Sequence, residues 1–279
     1  MLLHAGMHRL LIGRWLPEAR GGQVLSLAAS GIIGLSIGDQ ALMQAFIDIG
    51  PRLATLVMTT APLVAALFGW AVLGETLAWA SWLGIGLTVF GTAWAVLERP
   101  VLDRPPMLSR TGTQVPGSPR RVKGVLCALV GAVCQAGGLL LSKRGMGHGW
   151  LPAEEHIAPQ TATLIRMTFA GLGMLPLLGV HMARASFHSQ GSPFSAAGRT
   201  HSGVLLAALG AVTGPFLGVW MSLVASDRVP LGVAQTLCSF TPILILPFAA
   251  WLHTERIGPR ALIGALAAVG GLVILFLSP

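Results

Sequence analysis

Of the 279 residues, 53% are apolar and only 10% charged, with a mean hydropathy of +0.73; a water-facing domain carries about 25% charged residues, so a soluble fold is excluded. The net charge of +8 lies between apolar runs and not on one helix or sheet face, and neither RNP nor zinc-finger spacing is present, which excludes a nucleic-acid partner. Cys127, Cys134 and Cys238 sit inside apolar runs as small hydrophobes and imply neither a disulfide nor a metal.

In chain order, Met1–Gln23 comes first. Its apolar residues are interrupted by His8, Arg9 and Arg14 and no clean small-residue cleavage site follows, which argues against a signal peptide and for a loop or an interfacial amphipathic helix. Eight apolar stretches follow, each long enough to cross a hydrocarbon core of about 30 Å. They run near Val24–Ile47, Leu53–Leu73, Trp79–Leu97, Gly124–Leu141, Ala162–Met182, Gly203–Val224, Leu231–Leu252 and Ala261–Leu277. Connectors as short as Gly74-Glu75-Thr76 and Asp227-Arg228 force the flanking helices to run antiparallel. The predicted fold class is therefore all-α integral membrane, a polytopic helical bundle of about eight transmembrane helices. Two longer connectors, Glu98–Lys123 and Met182–Thr200, read as solvated loops, the first a Pro/Arg-rich linker between halves.

A shift of 180 residues superimposes Gly34 on Gly214, Gly38 on Gly218, Ala45 on Ala225, Ala54 on Ala234 and Pro62 on Pro242. It continues through Glu75 on Glu255, Gly84 on Gly264 and Gly91 on Gly271, without a gap. The register assigns 1–23 to an N-terminal remnant, 24–97 to a first repeat of three helices, 98–121 to the linker and 122–279 to a second repeat of five. Because five is odd, two such copies in tandem insert with opposite orientation, the inverted-repeat plan of secondary transporters, with the first copy incomplete.

Pro62, Leu73-Gly74-Glu75 and Gly84, followed by Pro242, Glu255 and Gly264, resemble the drug/metabolite transporter superfamily with paired EamA-type domains. Arg166, near the start of the second repeat's second helix, adds to the resemblance. It covers about residues 24–97 and 122–279 and implies ten helices in two five-helix halves, so the first two helices are expected to be missing here. The resemblance implies a transporter and leaves its substrate open.

Asp39 is the one carboxylate deep inside a predicted span, where an ionised group costs about 2.5–3.5 kcal/mol on insertion scales unless paired or wetted, and it is the first candidate for a proton or substrate-ammonium site. Gln40 and Gln44 follow on the same helix, and Gln135 and Gln235 are further amides inside spans that could line a polar cavity with Ser142, Thr236, Ser239 and Thr241. Arg166 is expected to snorkel to the headgroups. Glu75 and Glu255 end equivalent helices beside tight turns and read as caps for the next helix's free N–H groups. Pro62 and Pro242 lie mid-span and read as kinks. Gly34 and Gly38, and Gly210, Gly214 and Gly218, form small-residue stripes for close helix contact.

No HExxH, P-loop, nucleotide fingerprint or Ser-His-Asp order is present, so neither metal, cofactor nor enzymatic activity is expected. Six Lys and Arg fall on the side of the termini and eleven on the other, which places the linker in the cytoplasm, whereas the resemblance implies cytoplasmic termini; orientation stays open. The leading reading is a multi-pass secondary transporter of the cell inner membrane, exporting small metabolites or amphipathic compounds. Its expected partners are the lipid bilayer and a small-molecule substrate, with a homodimer left open. The alternatives are a membrane-embedded enzyme on lipid-linked substrates, for which only the His148–His156 loop offers clustered groups, and a nontransporting remnant or subunit.

Overall fold

The computed structural model describes residues 6, 9, 19–97, 119–187, 209–210, 212–241, 243–244 and 259–277. Among these the elements are helical, with no strand. They are α1 (Gly21–Ser30), α2 (Gly38–Met58), α3 (Ala61–Leu73), α4 (Trp79–Leu97), α5 (Pro119–Gly145), α6 (Pro159–Phe187), α7 (Val219–Arg228), α8 (Leu231–Ser239) and α9 (Pro259–Leu277). A π-helical stretch, Gly31–Ile37, joins α1 to α2, and a second, Val212–Gly218, leads into α7. Gly21–Pro51, Leu53–Leu73 and Arg120–Gly145 are long and apolar enough to cross a membrane, and Leu262–Leu277 is a shorter apolar helix. Large apolar side chains cover the outside, with Leu25, Trp79 and Leu277 72%, 77% and 79% exposed. Surfaces of that kind are stable against lipid and not against water. The chain is an all-α polytopic membrane protein.

The chain divides into two compact units, residues 1–32 with 141–228 and residues 33–140 with 229–279. In the first, α1 packs on α6, and α6 on α7. Small and polar residues allow this closeness: an added Cβ on Gly31 would strike the Arg166 carbonyl, and one on Gly145 would lie 2.7 Å from Leu27 Cγ. The Ser30 and Ser142 hydroxyls bond each other at 2.6 Å in the buried interior.

In the second unit, α4 and α9 pack along their lengths. A Cβ on Gly84 would sit 2.8 Å from the Gly271 carbonyl, and one on Gly91 would sit 2.5 Å from the Gly264 carbonyl. The pairing of 84 with 271 and 91 with 264 makes the helices antiparallel. Since Gly84 and Gly91 are the 180-residue equivalents of Gly264 and Gly271, the two copies of one helix cross each other in opposite directions. Thr88 Oγ1, which donates to the Gly84 carbonyl at 2.8 Å, also lies 3.4 Å from the carbonyl of Ala268, its own equivalent, so the symmetry axis passes at this contact. Beside it, Ala66, Ile85, Val233 and Leu275 form an apolar core.

The span boundaries have local causes. Within α2, Gly50 at φ +82° followed by Pro51 breaks the helix, because proline disfavours a helical residue before it and only glycine enters that region without strain. After Leu73 the left-handed Gly74, φ +67°, lets the Glu75 N–H return to the Gly69 carbonyl at 3.1 Å and ends α3. Pro62 is the second residue of α3, so the interruption falls upstream of it, at Thr59–Thr60. Proline has no N–H for the carbonyl four residues back and its ring crowds that carbonyl, so the chain tightens there into shorter turns.

Candidate functional site

The break at Thr59–Thr60 recurs after α8 in three of its backbone hydrogen bonds. Thr60 N–H donates to Val57 O at 3.1 Å, and Leu63 and Val64 N–H donate to Thr60 O at 3.1 and 3.2 Å. At the positions 180 residues on, Phe240 N–H donates to Leu237 O at 3.3 Å, and Ile243 and Leu244 N–H donate to Phe240 O at 3.0 and 3.2 Å. Pro242, the equivalent of Pro62, lies outside the described residues.

Beside both breaks lies a cavity of about 260 Å³, within the second unit. It is lined by Thr55, Met58 and Thr59 from the end of α2 and by Gln235, Cys238 and Ser239 from α8. These are three equivalent pairs in the 180-residue register: Thr55 with Gln235, Met58 with Cys238, Thr59 with Ser239. Leu42, Gln135 and Thr241 complete the lining. An inverted repeat places its axis where equivalent residues face one another, so the pairs mark the cavity as lying on that axis. Gln235 is only 3% exposed, and no hydrogen bond among the described residues engages its amide or that of Gln135. Both amides keep their donor and acceptor capacity for whatever enters.

Of the residues singled out in the sequence, Gln135 and Gln235 thus meet at one cavity, together with Ser239 and Thr241. Asp39 and Gln40 stand exposed in the first turn of α2 and do not line it, although Asp39 precedes the lining residue Leu42 by one turn. Gln44 donates through Nε2 to Asp48 Oδ2 at 2.9 Å. Asp48, one residue beyond the predicted span, is buried and also takes Arg120 Nε on Oδ1 at 3.1 Å, with Lys123 Nζ 3.9 Å from Oδ2. This tie joins the end of the first arm of α2 to the start of α5. The signal for it was the Gln44–Asp48 spacing of four, which sets two polar side chains on one helix face.

Glu75 acts as a cap on α8, a helix distant in sequence: its Oε2 accepts the Leu231 N–H at 2.7 Å. The first N–H groups of a helix lack intrahelical partners, so a carboxylate there satisfies one and meets the helix dipole. Its equivalent, Glu255, lies outside the described residues. Arg166 corrects the expectation of snorkelling: only 4% exposed, it is held inside the first unit, with its own carbonyl against Gly31.

In the first unit the 146–158 loop gathers further polar groups. His148 Nε2 lies 2.9 Å from Asp227 Oδ1, its ring centroid is 4.5 Å from that of His156 with the planes tilted by 52°, and His156 Nε2 lies 3.2 Å from the Leu151 carbonyl. Arg20 Nη2 meets Glu155 Oε1 at 2.5 Å while Gln23 Nε2 donates to the Glu155 carbonyl at 3.0 Å. These contacts fasten the loop to α1 and α7. Among the described residues no group of three or more His, Cys, Asp or Glu is placed to hold a metal.

Comparison with known proteins agrees with this architecture. A solved structure described only as the crystal structure of a protein, one of 18 matching chains, is similar at 17% identity with a TM-score of 0.59, over 90% of this chain and 86% of its own. At that identity it shares the fold. No curated protein matches the chain. The model of the EamA-like transporter family matches residues 2–97 and 122–277, most of the length, and the chain therefore belongs to the EamA-like transporter family.

Proposed function

We propose that this membrane transporter is a secondary exporter of the cytoplasmic membrane that moves small metabolites or amphipathic compounds by alternating access, with the cavity on the repeat axis as its substrate site. One observation carries the reading: three pairs of repeat-equivalent residues wall a single cavity that contains the amides of Gln135 and Gln235, uncommitted among the described residues. A site on such an axis is presented alike to either side of the membrane as the halves rock. The breaks at Thr59–Thr60 and Phe240 supply bending points directly beside it. Substrate binding falls to Gln135 and Gln235, and Asp39, one turn from the lining residue Leu42, is the candidate proton carrier. No chemical conversion is required of any of these groups, so the activity is transport and not catalysis.

The full chain reconstituted in vesicles, loaded with a panel of small metabolites and given a proton gradient, should release at least one of them saturably. Gln135→Leu with Gln235→Leu should abolish that flux while the protein remains inserted; unchanged flux removes the cavity from the pathway. Asp39→Asn should remove the dependence on the proton gradient and leave substrate exchange at equilibrium intact; gradient-driven flux at the original rate removes Asp39 from coupling.

A further inference from the structure

The polar lining of the cavity is one-sided, and this narrows the chemistry of the solute. Thr59 Oγ1 donates to the Leu56 carbonyl at 2.7 Å and Thr241 Oγ1 donates to the Cys238 carbonyl at 2.8 Å. A hydroxyl has one proton, so what these two oxygens present to an occupant is acceptor capacity alone. Thr55 spends its proton the same way, on the Pro51 carbonyl at 2.9 Å. Gln135 and Gln235 can donate or accept, and Ser239 can rotate to do either. Among the described lining residues there is no carboxylate, ammonium, guanidinium, imidazole or aromatic ring.

An ion entering between these described residues would shed its water without meeting a countercharge or an aromatic face among them, the most costly form of burial. A neutral solute that only accepts hydrogen bonds would satisfy the amides and leave the threonine oxygens facing nothing. A neutral donor answers both, and Leu42, Met58 and Cys238 flank an apolar portion beside it. The volume of about 260 Å³ corresponds to roughly nine waters at about 30 Å³ each, which suits a solute of roughly ten heavy atoms.

We propose that the cavity selects small uncharged solutes that donate hydrogen bonds, primary amides and alcohols, and discriminates against organic cations and anions alike. This rests on the reading of the cavity as the substrate site. Four probes of one shape separate the possibilities: benzamide, the neutral donor; methyl benzoate, the neutral acceptor; benzoate; and benzylammonium. Each is titrated against labelled benzamide on the purified full chain in nanodiscs, with protein-free nanodiscs subtracted.

Benzamide should bind saturably and the other three at least tenfold more weakly. Gln235→Leu should weaken benzamide at least tenfold, and Gln235→Glu should invert the order in favour of benzylammonium, both variants keeping wild-type helicity and elution volume. Competition by benzoate, benzylammonium or methyl benzoate as strong as that of benzamide, and lost in Gln235→Leu, overturns the solute class while leaving the substrate site standing. Absence of saturable benzamide binding, or binding indifferent to Gln235→Leu, overturns the site and the class together.

Discussion

At the break after α2 the cavity is faced by Thr55, Met58 and Thr59; at the break after α8 the positions 180 residues later hold Gln235, Cys238 and Ser239. Three backbone hydrogen bonds at the first break recur at the second, whereas the side chains differ. In the first copy both threonine protons are spent on the helix's own carbonyls, and in the second the glutamine amide is uncommitted among the described residues. Duplication supplies a symmetric frame, and divergence at matched positions gives the cavity a chemically active wall and a passive one.

The frame should break most completely at the helix crossing. Gly91→Leu forces a side chain against the Ala268 N–H and Gly264 carbonyl, each 2.5 Å from the new Cβ, in a contact that is backbone on both sides. Overpacking of that kind should cost roughly 3 kcal/mol or more and deplete folded protein in detergent. Gly86→Leu, on the same helix but with nothing within 4 Å, serves as the control and should leave elution and melting unchanged.

The chemical asymmetry comes next. Gln235→Leu should lower flux at least tenfold, and Thr55→Val only about threefold, since its lost group is worth roughly 0.5–1 kcal/mol; equal losses would show that the two walls contribute alike. A smaller effect is expected at the α8 cap. Glu75→Ala strips the Leu231 N–H of its acceptor and should cost about 1 kcal/mol, read as a lower melting temperature, while Glu75→Gln, which keeps an acceptor oxygen, should lose less than half as much. The smallest is Asp48→Asn: Arg120 and Lys123 are 59% and 63% exposed and regain water readily, so the loss should stay below about 1 kcal/mol in denaturant unfolding.

How much of this the sequence disclosed differs from residue to residue. Helix-length apolar runs and the 180-residue register were plain, and Leu53–Leu73 recurs as a span with the same bounds. Gln235 was visible because an amide is costly in lipid, while its partner Thr55 was not, because a threonine hides its hydroxyl on its own helix and is unremarkable there. Asp48 was missed because the apolar run ends at Ile47, whereas the helix continues to Gly50, where backbone conformation and not hydropathy stops it. Glu75 was legible as a cap, but which helix it caps depends on packing between segments 156 residues apart, which no local pattern encodes.

The two π-helical stretches, Gly31–Ile37 and Val212–Gly218, coincide to within one residue in the 180-residue register. Such turns are rare, and each widens its helix by one residue and so rotates everything before it by about 100° relative to an unbroken α-helix. Two independent insertions at matching points would be a coincidence of position and length. The wide turn therefore dates from the ancestral single-copy half, older than the gene duplication itself, and was kept through all the divergence that later made Thr55 and Gln235 different residues.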